Sequence, residues 1–389
     1  MSAQEAAAPE EATFAYGPPA AEAGGILTID LGAIEANWKK LRSMAIPTEC
    51  AAVVKADAYG CGIEPVTALL YHAGCTTFFV ADLSEGKRVR RIAPGAIVYI
   101  LGGLPPGTAS VFAEHNLRPV IGSSAELAEW DSFVSASNWR GGIALHVDTG
   151  MNRLGLTIEE ATALAPRIKS ENHGIMLLMS HFVASEIHEH PRNNEQMLAF
   201  REIRSLYRGV PASISNSSGI FLGSSAHLDL VRPGVALYGV NPTPGKPNPM
   251  RPVVHLQARI ILTREVAFGD TVGYDANWTA RRASRIAIIA AGYADGYFRM
   301  ASGTDQKQGG IVLVAGRRCP IVGRISMDLI AVDVTDLPGS AVRRGDYVTL
   351  IGEGFDVDAL AEQFDTNGYE VLTSLGRRYA RIYKGSSAG

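Results

Sequence analysis

Sulfur is scarce: four cysteines, Cys50, Cys61, Cys75 and Cys319, stand among 389 residues with no CxxC pair. A disulfide framework or a thiolate zinc site needs cysteines in closer groups, so neither is expected, and no metal is assigned. Long apolar runs are missing too. None approaches the length of a membrane-spanning helix, and the N-terminus lacks the basic start and apolar stretch of a secretory signal. Nor does charge of one sign accumulate. Acidic residues number 39 and basic residues 36, mixed along the chain, which leaves no electrostatic footprint for nucleic acid. The expected partners are small molecules or other protein chains, not nucleic acid or membrane, and the expected setting is the cytoplasm with its thiols reduced.

Apolar residues, by contrast, make up 47% of the chain, enough for a large core and too many residues for one ordinary domain. Residues 1–25, rich in Ala, Pro, Gly and Glu without apolar periodicity, read as a disordered extension. "ILTIDL" then alternates like a strand, taken over 26–33, and "GAIEANWKKLRSM" follows with helical spacing. Eight short apolar runs come next: "AAVVKA", "TTFFVAD", "AIVYILG", "LRPVIG", "GIALHVD", "GIMLLMSHF", "PASISNS" and "DLVRPGVALYG". Most are separated by stretches of helix length. Eight strand and helix units over 34–252 predict a (β/α)8 barrel of the TIM type. Lys55, Asp148, His181, Asn216 and Arg232 fall late in these runs or just beyond, at the rim where barrel active sites lie. Past Pro252 the texture turns to Val, Ile, Thr and Tyr alternation broken by Gly and Asp. A mostly antiparallel β domain over 253–389 is predicted, with one helix, "DVDALAEQF", before a last strand, "RRYARIYK".

Lys55 lies inside an apolar run, where an ammonium rarely goes without a partner. Either its stem snorkels to the strand end, or burial lowers its basicity and leaves a neutral amine for Schiff-base chemistry. Tyr59, Gly60 and Gly62 follow at once, and a hydroxyl beside open backbone suits a phosphate. Other candidates are ambiguous when taken singly. Tyr274 could be an aromatic at a strand end, Arg232 a turn residue before proline, His181 a structural histidine and Met327 core filler.

Taken together the segments are less ambiguous. "VVKADAYGCG" is similar to the pyridoxal-phosphate lysine motif of the alanine racemase family. "HVDTGMNRLG", "MSHF", "SNSSGI", "RPGVALYG", "VGYDANW", "AAGYADGY", "PIVGRISMD" and "NGYEVLTSLGRR" resemble further family segments, in family order, from Ile26 to the C-terminus. The resemblance implies a pyridoxal 5'-phosphate enzyme that interconverts L- and D-alanine, with strand 26–33 joined to the C-terminal domain. Lys55 would hold the cofactor and act as one of two acid/base groups, and Tyr274 would be the other. Arg232 would face the cofactor's pyridine nitrogen, and a guanidinium there donates a hydrogen bond without readily giving up a proton. His181 would link Arg232 to Tyr274. Tyr59, Asn216, Ser217, the backbone of Gly234 and Val235, and Tyr369 would complete the cofactor site. Arg153, Tyr293 and Met327 would meet the substrate.

The resemblance further implies a homodimer with shared sites, Tyr274, Tyr293 and Met327 reaching the partner's cofactor. Two positions depart from the family pattern. His146 stands where many members carry a carbamylated lysine that supports the arginine at 153, and Asn367 where an isoleucine narrows the substrate entrance. The second departure keeps a broader amino-acid racemase, acting for example on serine, as the alternative.

Overall fold

The computed structural model describes residues 17–137, 139, 141–170 and 174–385. The chain opens with strand β1 (Gly25–Asp30), alternately buried and half-buried, and passes directly into helix α1 (Leu31–Ala45). The strand read over 26–33 therefore ends at Asp30. Its carboxylate accepts the N–H of Ala33 and caps the helix, so residues 31–33 are helical. Of the extension read over 1–25, residues 1–16 lie outside the described residues. Residues 17–24 are packed on the C-terminal domain. Arg259 donates to the carbonyls of Gly24 (2.8 Å) and Ala20 (3.2 Å), and Gly17 lies so close to the Tyr379 carbonyl that no side chain would fit.

The barrel strands follow: β2 (Glu49–Cys50), β3 (Ala52–Val53), β4 (Thr77–Val80), β5 (Ile97–Ile100), β6 (Arg118–Ile121), β7 (Ile143–His146), β8 (Ile175–Met179), β9 (Ala212–Ser213) and β10 (Leu230–Val231). β3 to β9 form one parallel sheet in chain order, and β10 pairs in parallel with β2. β2 and β3 are two pieces of one run, joined where Ala51 N–H reaches Val231 O. Bonds from Asp229 N to Ala212 O and from Arg232 N to Ser215 O tie β9 to β10, closing the ring of eight. β4 and β7 are buried throughout, as expected of parallel strands covered on both faces. The covering helices include α2 (Lys55–Tyr59, a single left-handed turn), α3 (Ile63–His72), α4 (Leu83–Ile92), α5 (Ala109–Glu114), α6 (Ser124–Ser137), α7 (Ile158–Leu164) and α8 (Pro191–Leu206).

The second sheet has eight strands in the order β12-β15-β14-β13-β16-β11-β1-β17, with β12 also paired to β11. Its members are β11 (Val254–Val266), β12 (Ser284–Ile289), β13 (Ile311–Val314), β14 (Arg317–Val322), β15 (Ile330–Asp333), β16 (Tyr347–Ile351) and β17 (Ala380–Lys384), together with β1. All pairings are antiparallel except β1 with β17. α9 (Val357–Gln363) and α10 (Gly368–Ser374) lie between β16 and β17. Only α9 is anticipated by the sequence reading. Among the described residues no helix is long and apolar enough to cross a membrane.

Candidate active site

A cavity of about 560 Å³ opens at the C-terminal rim of the barrel, lined by Lys55, Tyr59, His146, Arg153, His181, Asn216, Ser217, Arg232, Gly234, Val235 and Tyr369, with Ala, Leu, Met and Phe side chains between them. The fold thus gathers ten of the thirteen predicted site residues, nine from the barrel and Tyr369 from α10, together with His146, at one place. Several strand ends contribute: Lys55 and Tyr59 follow β3, His146 and Arg153 come at or after β7, His181 follows β8, Asn216 and Ser217 follow β9, and Arg232, Gly234 and Val235 follow β10.

Lys55 leaves β3 into a backbone that L-residues avoid. Ala56, Asp57, Ala58 and Tyr59 all have φ of 53–54°, and Gly60 closes the turn at φ 78°. Each non-glycine residue held there costs roughly 1–2 kcal/mol, so the surrounding structure must impose the turn. Burial, and then the charge of Arg153, lower the Lys55 pKa, while Glu85 opposes them. The half-buried amine is therefore easier to deprotonate than an exposed lysine, which suits a nucleophile.

Arg232, just past β10, is buried in the cavity wall. One terminal nitrogen donates to the Ser213 hydroxyl, and the other to Ser180 O at 2.7 Å and toward His181 Nδ1 at 3.4 Å. Phe79 lies under the guanidinium, 5.8 Å from ring centre to its carbon. Nε makes no hydrogen bond among the described residues and is free for a ligand. Burial brings the Arg232 pKa down to about 9, so the group stays cationic at neutral pH. Its charge adds to burial in holding both neighbouring imidazoles neutral. His181 falls well below its ordinary value, and His146 is pushed down to about 4, with Arg153 adding to the effect and Asp148 opposing it. A neutral His181 accepts at Nδ1 and so carries its proton on Nε2.

Hydroxyls and backbone crowd the third side. Tyr59 is buried and stacked on Tyr238 at 4.7 Å, and Ser217 Oγ accepts the N–H groups of Gly234 (2.9 Å) and Ala236 (3.2 Å). The Gly234 N–H, read from the sequence as a cofactor donor, is thus held by Ser217. Asn216 Oδ1 accepts from Ser185 Oγ and Gly219 N, both at 2.9 Å. Tyr369, on α10, donates to Glu186 at 3.1 Å. A Cβ on Gly234 would come within 2.5 Å of the Tyr59 oxygen, so this corner is shaped by glycine.

Arg153 is exposed at the rim and makes no hydrogen bond to protein among the described residues, His146 included. Its loop is fixed by Asp148, whose carboxylate accepts the N–H groups of Gly150, Met151 and Asn152 at 2.8 Å each. Asn367 is exposed and absent from the cavity wall. Its side chain accepts Glu370 N–H at 3.1 Å and caps α10.

Tyr274, Tyr293 and Met327 are not in this cavity. They sit on the second domain, 66%, 45% and 52% exposed, on loops that touch one another. Tyr293 N bonds Ser326 O, Ala294 N bonds Met327 O, and Gly273 faces the backbone of Arg324. Asp295, buried, receives Gly292 N–H and Arg378 Nε and fastens this loop cluster. The sequence reading misses Ser213, which anchors Arg232, and Glu85, which meets the Lys55 turn. Glu85 carried one signal, an acidic side chain three residues after an N-capping Asp82.

Known proteins match this chain along nearly its whole length. The family model "Alanine racemase, N-terminal domain" covers residues 29–242, and "Alanine racemase, C-terminal domain" covers residues 253–383. The chain is 51% identical to the alanine racemase of Methylobacterium sp. (strain 4-46), spanning 92% of this chain and 98% of that one. It is 43% identical to the biosynthetic alanine racemase of Agrobacterium fabrum, over 92% and 93% of the two chains. The crystal structure of alanine racemase from Bartonella henselae with covalently bound pyridoxal phosphate superposes with a TM-score of 0.88 at 40% identity, over 93% of this chain and all of that one.

Proposed function

The chain belongs to the alanine racemase family, and from that premise we propose that it interconverts L- and D-alanine by moving a proton at the α-carbon between two bases, Lys55 and a partner subunit's copy of Tyr274. It is a pyridoxal 5'-phosphate enzyme of the isomerase class. The observation that carries the reading is the meeting of a half-buried lysine, a buried cationic arginine and a hydroxyl-rich glycine corner in one cavity.

The cavity's chemistry fits the cofactor. Tyr59, Ser217, Tyr369, Asn216 and the backbone of Val235 offer neutral donors beside Gly234, a corner too tight for a Cβ, which suits a phosphate. Lys55 would hold the group covalently, and Arg232 would donate from Nε to its ring nitrogen. When bound, pyridoxal phosphate stabilises the negative charge left on the α-carbon once its proton has gone. Because Arg232 keeps its own proton, it would give the ring nitrogen a hydrogen bond and no full charge. That restraint favours reprotonation of the α-carbon over other outcomes.

Racemisation needs a base on each face of the α-carbon. Lys55 Nζ would serve one face. For the other, Tyr274 stands exposed with Tyr293 and Met327 on the second domain. A homodimer in which each subunit lends these three residues to its partner would bring that phenol to the cavity. Arg153 would orient the substrate carboxylate and the phenolic oxygen of Tyr274, and His181 would connect that oxygen to Arg232. The barrel over 34–252, joined by Tyr369, would bind the cofactor, and the exposed loops of 253–389 would complete the partner's site. The four cysteines, free and buried, accord with a reducing cytoplasm.

Incubating the purified protein with L-alanine and following optical rotation tests the proposal. Rotation should decay to zero in the wild type, and Lys55→Ala should lose the cofactor's visible absorbance and nearly all activity. An intact absorbance band in Lys55→Ala would refute the assignment. A panel of L-amino acids separates alanine from serine and longer substrates.

A further inference from the structure

Glu85 is a buried carboxylate that does not line the cavity, yet it reaches the segment on which the chemistry depends. It sits in the first turn of α4. Capping of that helix is already done by Asp82, whose carboxylate accepts Glu85 N–H at 3.0 Å. The Glu85 side chain turns elsewhere. Oε1 accepts the N–H of Asp57 at 3.2 Å, and Oε2 accepts the N–H of Ala81 at 2.8 Å. The first belongs to the left-handed turn after Lys55, and the second follows the end of β4, the strand beside β3.

A carboxylate withdrawn from water must have its lone pairs satisfied, so both bonds are firm requirements of the fold. Arg88, one turn further along α4, holds the same residue by its side chain: its guanidinium reaches Asp57 Oδ1 and both Glu64 oxygens at 2.6 Å. Asp57 is thereby gripped at backbone and carboxylate from one helix. Four consecutive non-glycine residues in a conformation each disfavours would relax if released. Lys55 immediately precedes them.

We infer that Glu85 is a positioning residue for Lys55, locking the left-handed turn to the end of β4 and so fixing where the lysine amine lies in the cavity. This rests on the reading of Lys55 as cofactor lysine and base. It needs no contact between Glu85 and cofactor or substrate.

The test uses holoenzyme carrying Glu85→Gln, which keeps the side chain's size, and Glu85→Ala. Hydrogen–deuterium exchange read by mass spectrometry should show the peptide spanning 54–62 exchanging roughly tenfold faster in both variants, with second-domain peptides unchanged. In Glu85→Gln the kcat for alanine should fall roughly tenfold to a hundredfold while KM moves little, since a base displaced by a fraction of an ångström loses proton transfer before binding. Glu85→Asp keeps the charge but cannot span both N–H groups, so it should behave like Glu85→Gln. Unchanged exchange in Glu85→Ala would overturn the lock. Faster exchange with wild-type kcat would overturn the positioning role. A wild type inactive on alanine, with fast exchange in the variants, would count against the functional reading and not against the lock.

Discussion

At the scale of single residues, His146 shows how far burial can move a property that sequence alone assigns. An imidazole beside Arg153 is expected to protonate near 6.5, so that mild acid would set two cations against each other. In the fold, burial and the Arg232 charge bring its pKa to about 4, and the imidazole stays neutral at neutral and mildly acidic pH. The unfolded chain takes up its proton near 6.5 and the folded chain only near 4. Stability that is complete above 6.5 is therefore lost as pH falls toward 4, to the extent of about 3 kcal/mol for this one group. His146→Gln should remove that part of the acid sensitivity. The expected result is a smaller drop in thermal midpoint between pH 7 and pH 4.5 than in the wild type, and equal drops would contradict it. Between pH 5.5 and 8 the two proteins should give pH–activity profiles of the same shape. Arg153, for its part, needs no buried counter-charge in the single chain, because it is exposed at the rim. Among the described residues Lys55 is the one lysine in the cavity wall, so no second amine of theirs is placed there to take up carbon dioxide. Bicarbonate added after carbon dioxide is stripped should leave activity unchanged, and a restoring effect would contradict this.

Among elements, the short, tight ones carry the site, and they are the hardest to read from sequence. "GIALHVD" announces β7 plainly, because its run of apolar residues is buried on both faces. "PASISNS" and "DLVRPGVALYG" look like full strands but yield only two residues of strand each. Pro233 has no N–H to give to a ladder, and Gly234 bends away at φ −121°, ψ −90° into the short helix Val235–Tyr238. α10 is unforeseen, although Asn367 followed three residues later by Glu370 is a capping pattern, and it carries Tyr369 into the cavity. The left-handed turn has no signature at all, since alanine, aspartate and tyrosine prefer other conformations. Gly234 offers the sharpest check at this scale. Tyr59 is buried and stacked and cannot retreat from a new Cβ at 2.5 Å. Gly234→Ala should fold, yet release cofactor with a Kd raised tenfold or more, by roughly the 1–3 kcal/mol that overpacking costs. Wild-type affinity, measured by absorbance titration, would show that the corner is not the phosphate site.

For the whole molecule, the eightfold rhythm of strands and the change of texture after Pro252 are legible in the sequence, because periodicity and composition report burial directly. What one chain cannot display is a site completed by another. Tyr274, Tyr293 and Met327 share an exposed face of the second domain, outside the cavity in the first. If subunits exchange those faces, each site contains Lys55 from one chain and Tyr274 from the other. Lys55→Ala and Tyr274→Phe homodimers should then both be inactive, the second still holding its cofactor because only a hydroxyl is removed. Mixed in equal amounts and allowed to exchange, half the dimers would be heterodimers. In each of these, one site combines the intact lysine of one subunit with the intact tyrosine of the other, and the second site lacks both. One site in four is whole, so activity should recover to about a quarter of the wild-type value. The mixture is measured after heterodimers are verified by differential tagging. Verified heterodimers that stay inactive would mean that lysine and tyrosine act within a single chain, and the shared-site reading would fall.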